Sequence, residues 1–370
     1  MRAARTEIRS LTGLRGIAAL LIAIYHFGAA RIPSPAFPRF DLTGAYLAVD
    51  AFFMLSGFVL AYNYNGKFAA RFSTYSYFDF LIRRVARIYP AYLAFLLLYL
   101  LKMVVNISGD NPFRLYEPWD FIGNILMING WGISMRPIIG PSWSVSAEMA
   151  CYFIFPFMLY LMSSPRWRII FTVPIIVAAL LALHHANIGV TGTLDIIDGS
   201  TLWPLLRAFC GFLTGIMLFQ IDARYHARLS PYMDIITMSA LFAGALLWAF
   251  GGSDLLKFMV IALLVLGLTQ DSPLGNRLFG NPPVHYLGEI SYSLYLCHSL
   301  CIPIALKIGV ATMPFVGDLA TYTLCLTAYL VMILALAAMA YPILEIGGKK
   351  AAMGLYVALQ RIGRRRELKA

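Results

Sequence analysis

The chain has 370 residues, 60% of them hydrophobic and only 13% charged, with a mean hydropathy of +0.74. Such a composition excludes an ordinary soluble globular domain. The net charge of +11 invites a nucleic-acid reading, but the cations lie in small groups between apolar runs, and that distribution excludes it.

Apolar runs of spanning length recur from end to end, so the expected fold is all-α: a polytopic membrane protein. Ten spans are expected, at roughly 11–30, 45–64, 88–106, 147–162, 168–185, 201–221, 232–250, 254–269, 286–306 and 316–342. Residues 1–346 then form one integral-membrane domain, and 347–370 a basic tail on the anionic inner leaflet. The first run starts at Leu11 without a small-residue cleavage pattern, so no cleavable signal peptide is expected. Lys and Arg alternate between the two sides: 21 of the 29 fall in the N-terminal arm, the even-numbered loops and the tail. The positive-inside rule therefore puts both termini in the cytoplasm. The one long external loop, 107–146, carries Trp119, Trp131 and Trp143, and a loop of that length reads as functional or re-entrant. Five cysteines fall within apolar segments, without metal-ligand or disulfide spacing, and are assigned to packing.

In the first span, L-T-G-L-R-G-I-A-A-L-L-I-A-I-Y-H places His26 eleven residues after Arg15. Eleven residues are about three helical turns, so the two side chains share a stripe roughly 16 Å apart along the axis. Ionisable groups at that depth cost several kcal/mol and point to function. Alone, Arg15 reads as a snorkelling interfacial residue; the aligned pair favours function.

Four further patches interrupt the apolar background. Asp50 enters the second span from outside in A-V-D-A-F-F-M-L-S-G-F, and Glu148 enters the fourth in P-S-W-S-V-S-A-E-M-A-C-Y, with Tyr152 one turn deeper. R-R-V-A-R-I-Y-P places Arg84 and Arg87 before the third span, and His298 lies about twelve residues into the ninth. Depth counting sets His26 some 20 Å up, in one layer with Asp50 and Glu148, while Arg15, Arg84 and Arg87 share the opposite layer. A carboxylate beside the imidazole would suit a general base, and the arginines a phosphorylated ligand. Each feature has a plainer reading. The arginine run could only set topology, Asp50 and Glu148 could be interfacial, and His298 could be a satisfied bundle histidine. Ser56-Gly57 reads as a close helix contact. His184-His185 has no carboxylate at ligand spacing, so no metal site is assigned.

Together these blocks resemble the membrane acyltransferase-3 family: T-G-L-R-G with its Y-H, V-D-A-F-F-M-L-S-G-F, R-R-V-A-R-I-Y-P, S-A-E-M-A-C-Y and G-E-I-S-Y-S-L-Y-L-C-H occur in the family's order from residue 11 to about 300. The resemblance implies acyl transfer, commonly of acetyl, from a cytoplasmic coenzyme A thioester to sugars of envelope or exported polysaccharides. It implies that His26 is the essential histidine with Arg15 its partner, that Arg84 and Arg87 are the family's arginine pair, and that Asp50, Glu148 and Tyr152 fall on family blocks. Two departures stand out. The usual S-V-E-E or S-L-E-x-x-F-Y run reads S-A-E-M-A-C-Y, and Cys297 replaces a Trp before His298. An appended soluble esterase-like domain, carried by some relatives, is not expected here.

The resulting expectation is a multi-pass O-acetyltransferase of the bacterial inner membrane. His26, Asp50 and Glu148 would be catalytic, and Arg15, Arg84, Arg87, Tyr152 and His298 would bind donor or substrate. Acetyl-CoA is a co-substrate, with no permanently bound cofactor; the other partners are a carbohydrate acceptor and the bilayer, with no nucleic acid. A separate periplasmic or polysaccharide-assembly partner is left open, as is a covalent acyl intermediate. A polar tunnel lined by the first three spans is expected from Arg84 and Arg87 to His26. The alternatives are a proton-coupled transporter or flippase, which buried His and carboxylates would also suit, and a receptor or assembly scaffold.

Overall fold

A computed structural model describes residues 7–30, 42, 44–68, 73–105, 115–162 and 168–367. Among them there is helix and no strand, as a lipid-embedded backbone that must satisfy its own hydrogen bonds requires. Ten helices coincide with the expected spans: α1 (Arg9–Ala29), α2 (Ala48–Phe68), α3 (Thr74–Val105), α5 (Ser142–Met162), α6 (Arg168–Ala186), α7 (Trp203–Leu229), α8 (Met233–Ala249), α9 (Asp254–Gly267), α12 (Ser291–Val316) and α13 (Asp318–Ala340). Seven described helical runs are long and apolar enough to cross a membrane, and one of them, Trp203–Ala249, holds two of the expected spans. Short helices α4 (Pro118–Ile125), α10 (Pro273–Leu278) and α11 (Pro282–Glu289) fill the connections. Several of the expected topology-setting cations, among them Arg2, Arg5, Arg31, Arg39, Arg71 and Arg114, lie outside the described residues.

Two close crossings set the positions of the site helices. Where α2 meets α7, a Cβ on Gly57 would collide with the Phe212 carbonyl, and one on Gly215 with the Met54 carbonyl. Where α1 meets α11, a Cβ on Gly16 would run into the backbone of Gly288. Small residues let backbones approach in this way when lipid gives no hydrophobic drive to pair. The T-G-L-R-G and L-G-E-I-S blocks, at opposite ends of the chain, therefore interlock.

The described part of the long connection between α3 and α5, residues 115–141, is folded. Asp120 accepts from the backbone N–H groups of Glu117 and Arg136, and Asn124 bridges the Asp120 and Arg136 carbonyls. Tyr92 of α3 donates to the Asn124 carbonyl at 2.8 Å, so this segment is fastened against the middle of α3. After α13 the chain passes through a π-helical stretch, Tyr341–Gly347, and continues as α14 (Gly348–Glu367) alongside α3. Pro342 at its start and the wider π turn carry Glu345 inward.

Candidate functional site

A cavity of about 390 Å³ lies among α1, α2, α3, α5 and α12, within the size range of ligand sites. Arg15, Arg84, Arg87, Glu148 and Tyr152 all line it. The arginines expected at one end of the bundle thus converge on a single space. Arg15 comes from α1 and is held by the junction of α11 and α12: its Nε donates to Ser291 Oγ at 3.0 Å and its Nη2 to the Gly288 carbonyl at 2.9 Å. Arg84 and Arg87 are one turn apart on α3 and so present one face. Arg84 sits beside the rings of Tyr64 and Phe80, and its Nη2 donates to Tyr64 at 3.3 Å. Its Nε is buried without a partner. Among the described residues none of the three arginines makes an ion pair, and Lys349 of α14 lies within electrostatic reach of both Arg84 and Arg87. Cations left unspent around a cavity suit a polyanion, above all a phosphate that accepts from a guanidinium fork.

Two carboxylates share this space. Glu148 accepts from Ser56 Oγ and from the Tyr152 hydroxyl, the latter at 2.6 Å. Glu345 also lines the cavity and accepts from the Ser293 hydroxyl and backbone N–H at 2.6 and 3.1 Å. Sequence reasoning missed Glu345; its signal was a carboxylate three residues after Pro342 inside an otherwise apolar helical run.

His26 is placed differently from expectation. No carboxylate hydrogen-bonds it among the described residues; its ring stacks on His298 with centroids 5.0 Å apart. His298 Nδ1 lies 2.7 Å from the Tyr295 carbonyl and must donate to it, which leaves Nε2 as an acceptor. His26 Nδ1, 3.2 Å from that Nε2 and 3.0 Å from the Ile22 carbonyl, therefore carries the proton that both acceptors share. The lone pair of His26 falls on Nε2. A neutral imidazole in that tautomer is what a general base requires, and here a second histidine fixes it in place of a carboxylate. His298 is fully buried, so it holds His26 and does not reach into the cavity.

Asp50 is spent elsewhere. Arg207 of α7 grips it with Nε at 3.1 Å and Nη2 at 2.7 Å, and the same Nη2 donates to the Tyr46 carbonyl. The pair is sealed, with Asp50 0% and Arg207 1% exposed, and the guanidinium sits 5.6 Å from the Trp143 ring centre. Arg207, the one Lys or Arg in the apolar run 201–221, was the legible clue to this partnership. Near His26 the carboxylate is instead Asp195, which accepts from Thr191 and, at 3.4 Å, from Tyr25, the neighbour of His26 in sequence. The expected tunnel is also corrected. The cavity runs from the arginines up to Ser144 and Tyr295, whose hydroxyls are 2.6 Å apart, and His26 lies behind Tyr295 and His298. Its walls are α5 and α12 as well as the first three spans.

The family model described as an acyltransferase domain, of the acyltransferase-3 type, matches residues 8–342. The chain belongs to this family. Within it, the chain is 28% identical over 331 residues to the acyltransferase MdmB of Streptomyces mycarofaciens, covering 80% of this chain and 79% of the relative. It is 24% identical over 315 residues to the O-acetyltransferase OatA of Staphylococcus aureus, covering 78% of this chain and 49% of the relative. The chain thus spans about half the length of the staphylococcal relatives it matches. No solved structure matches it. For this family member, the interlocked α1–α11 blocks and the arginine-lined cavity coincide with the sequence blocks that carried the resemblance.

Proposed function

We propose that the protein is a multi-pass membrane O-acyltransferase that moves an acyl group, acetyl first among the candidates, from an acyl-CoA to a hydroxyl of an envelope or exported carbohydrate. The observation that carries this reading is the cavity whose three arginines, among the described residues, make no ion pair and whose Arg84 Nε has no partner, set below a stacked histidine pair. Arg84 and Arg87 hold the phosphates of the donor, and Arg15 faces the thioester end. His26 takes the proton of the acceptor hydroxyl through Nε2. Glu148 stays in the catalytic machinery with Tyr152, whereas Asp50 serves to hold α2 against α7. His298 positions His26. No metal is assigned a role.

In this reading ten helices cross the bacterial inner membrane with both termini in the cytoplasm, so the arginine end faces the donor pool and His26 faces the acceptor. The described part of the basic tail, through Glu367, lies along the inner leaflet. Membership of an acyltransferase family, and relatives named as O-acetyltransferases, favour this over a proton-coupled transporter or flippase. Purified protein in liposomes, given radiolabelled acetyl-CoA on one face and polysaccharide on the other, tests it. Label should enter the polysaccharide only with the donor on the cytoplasmic face; label-free polysaccharide in both orientations would refute the reading.

A further inference from the structure

Ser56 and Gly57, read together from the sequence as a helix contact, do different things. Gly57 faces the Phe212 backbone of α7. Ser56 faces the cavity on the stripe Phe52, Ser56, Val59, Asn63, spaced as one side of a helix. Its hydroxyl donates to Glu148, whose Oε1 also accepts from Tyr152. Other aliphatic hydroxyls on the cavity wall have their protons committed elsewhere. Ser144 donates to the Pro141 carbonyl at 3.0 Å, Ser291 to the Gly288 carbonyl at 2.7 Å, and Thr12 to Glu7 at the exposed rim at 2.7 Å. Among the described cavity residues, Ser56 is the aliphatic hydroxyl that a carboxylate polarises inside the bundle. A hydroxyl paired with a positioned base is the general form of an activated nucleophile.

Depth gives the arrangement a purpose. Ser56 lies six residues, about 9 Å, further along α2 than the Asp50 layer and so toward the arginine end. The cavity stops at Ser144 and Tyr295, short of His26. A donor thioester held by the arginines therefore meets Ser56 before anything at the His26 level.

We propose, resting on the acyl-CoA reading above, that Ser56 is a catalytic nucleophile that carries the acyl group between donor and acceptor. In the first half-reaction Ser56 Oγ attacks the thioester carbonyl, forming an ester bond as the carbon–sulfur bond breaks. Glu148 takes and keeps the serine proton; coenzyme A leaves as its thiolate and is protonated by solvent. In the second, the acceptor hydroxyl attacks the Ser56 ester and its proton passes to His26 through water that enters with the acceptor, while Glu148 returns the stored proton to Ser56 Oγ. The product ester leaves, and His26 releases its proton on the acceptor side. Arg15, which lines the same cavity as Ser56 and Glu148, faces the oxyanion formed in the first step.

The experiment incubates the full-length protein in detergent with [14C]acetyl-CoA and no acceptor, then maps the label by peptide mass spectrometry. Wild type should carry up to one acetyl per chain on the peptide containing Ser56, and His26→Ala should keep it when acceptor is added, because only the second half-reaction is blocked. Ser56→Ala should lose the label and at least ~100-fold of transfer. Ser56→Cys should carry a thioester that neutral hydroxylamine cleaves, a signature a merely structural serine would not give. Absence of label from Ser56 in both wild type and His26→Ala would overturn the proposal. Polysaccharide acetylation without that label would leave the transferase reading standing, and loss of both would remove both.

Discussion

Asp50 and Glu148 look alike in the sequence and have opposite fates in the fold. Each is a carboxylate near the start of an apolar helix, Asp50 in the first turn of α2 and Glu148 in the second turn of α5. Asp50 meets a guanidinium from α7, 157 positions away in sequence, and is closed off with it. Among the described residues Glu148 meets hydroxyls, and it faces a cavity whose three arginines make no ion pair there. A carboxylate neutralised by a buried partner fastens helices together, whereas one held by weak donors beside open space is free for proton transfer. Each lies within two turns of a helix start; the difference lies in which way each side chain points and what the neighbouring helix offers.

The largest effect of breaking this contrast falls on Asp50. Asp50→Ala leaves Arg207 as a buried unpaired cation, so about 3–5 kcal/mol of stability should go and folded yield should collapse in thermal unfolding of the solubilised protein. Replacing both partners, Asp50→Leu with Arg207→Leu, should restore most of the folded yield, since apolar residues then fill the sealed site. If the double variant folds but transfers nothing, Asp50 has a part in the chemistry and the contrast fails. Next comes Glu148→Gln, which should melt close to wild type yet lose ~100-fold or more of acyl transfer. A large drop in melting temperature there would make Glu148 a second fastener. His298→Ala should lower transfer by less than the ~100-fold or more expected of His26→Ala, because it removes the group that fixes the tautomer while leaving the base.

The smallest effect belongs to the cavity rim at Glu7. Burial pushes the Glu7 carboxyl up, but the Thr12 hydroxyl and His285, 3.2 Å away, outweigh it and hold the group below its usual range. A carboxyl depressed in the folded state stabilises above its unfolded pKa and loses that contribution as pH falls through the folded one. Glu7→Gln should therefore flatten slightly the acid limb of the stability curve and leave transfer near neutral pH unchanged. A donor-binding defect in this variant would extend the working surface to the rim.

Much of the fold was legible because a bilayer dictates helix length: the described residues are helical without strands, and seven helical runs are long and apolar enough to cross a membrane. Arg15, Arg84, Arg87, Glu148 and Tyr152 stood out in the sequence against the apolar background, and one cavity gathers them. The illegible part is azimuth. Counting residues set His26, Asp50 and Glu148 in one layer, but packing at Gly57–Phe212 turns Asp50 toward α7, and the Ser56 contact turns Glu148 toward the arginines. Nor does a sequence disclose that His298, 272 positions from His26, would replace a carboxylate beside it. Glu345 was hidden by a π-helical stretch, a local change of period that apolar patterning passes over.

The central claim is a division of labour, with the arginine cavity holding the donor and His26 serving the acceptor. Titrating acetyl-CoA calorimetrically into purified wild type, the Arg84→Ala/Arg87→Ala double variant and His26→Ala tests it most directly. The account predicts donor affinity at least ~10-fold weaker in the arginine variant, from lost charged hydrogen bonds. In His26→Ala it predicts donor affinity close to wild type with acyl transfer abolished. Unchanged affinity in the arginine variant, or lost affinity in His26→Ala, would contradict it.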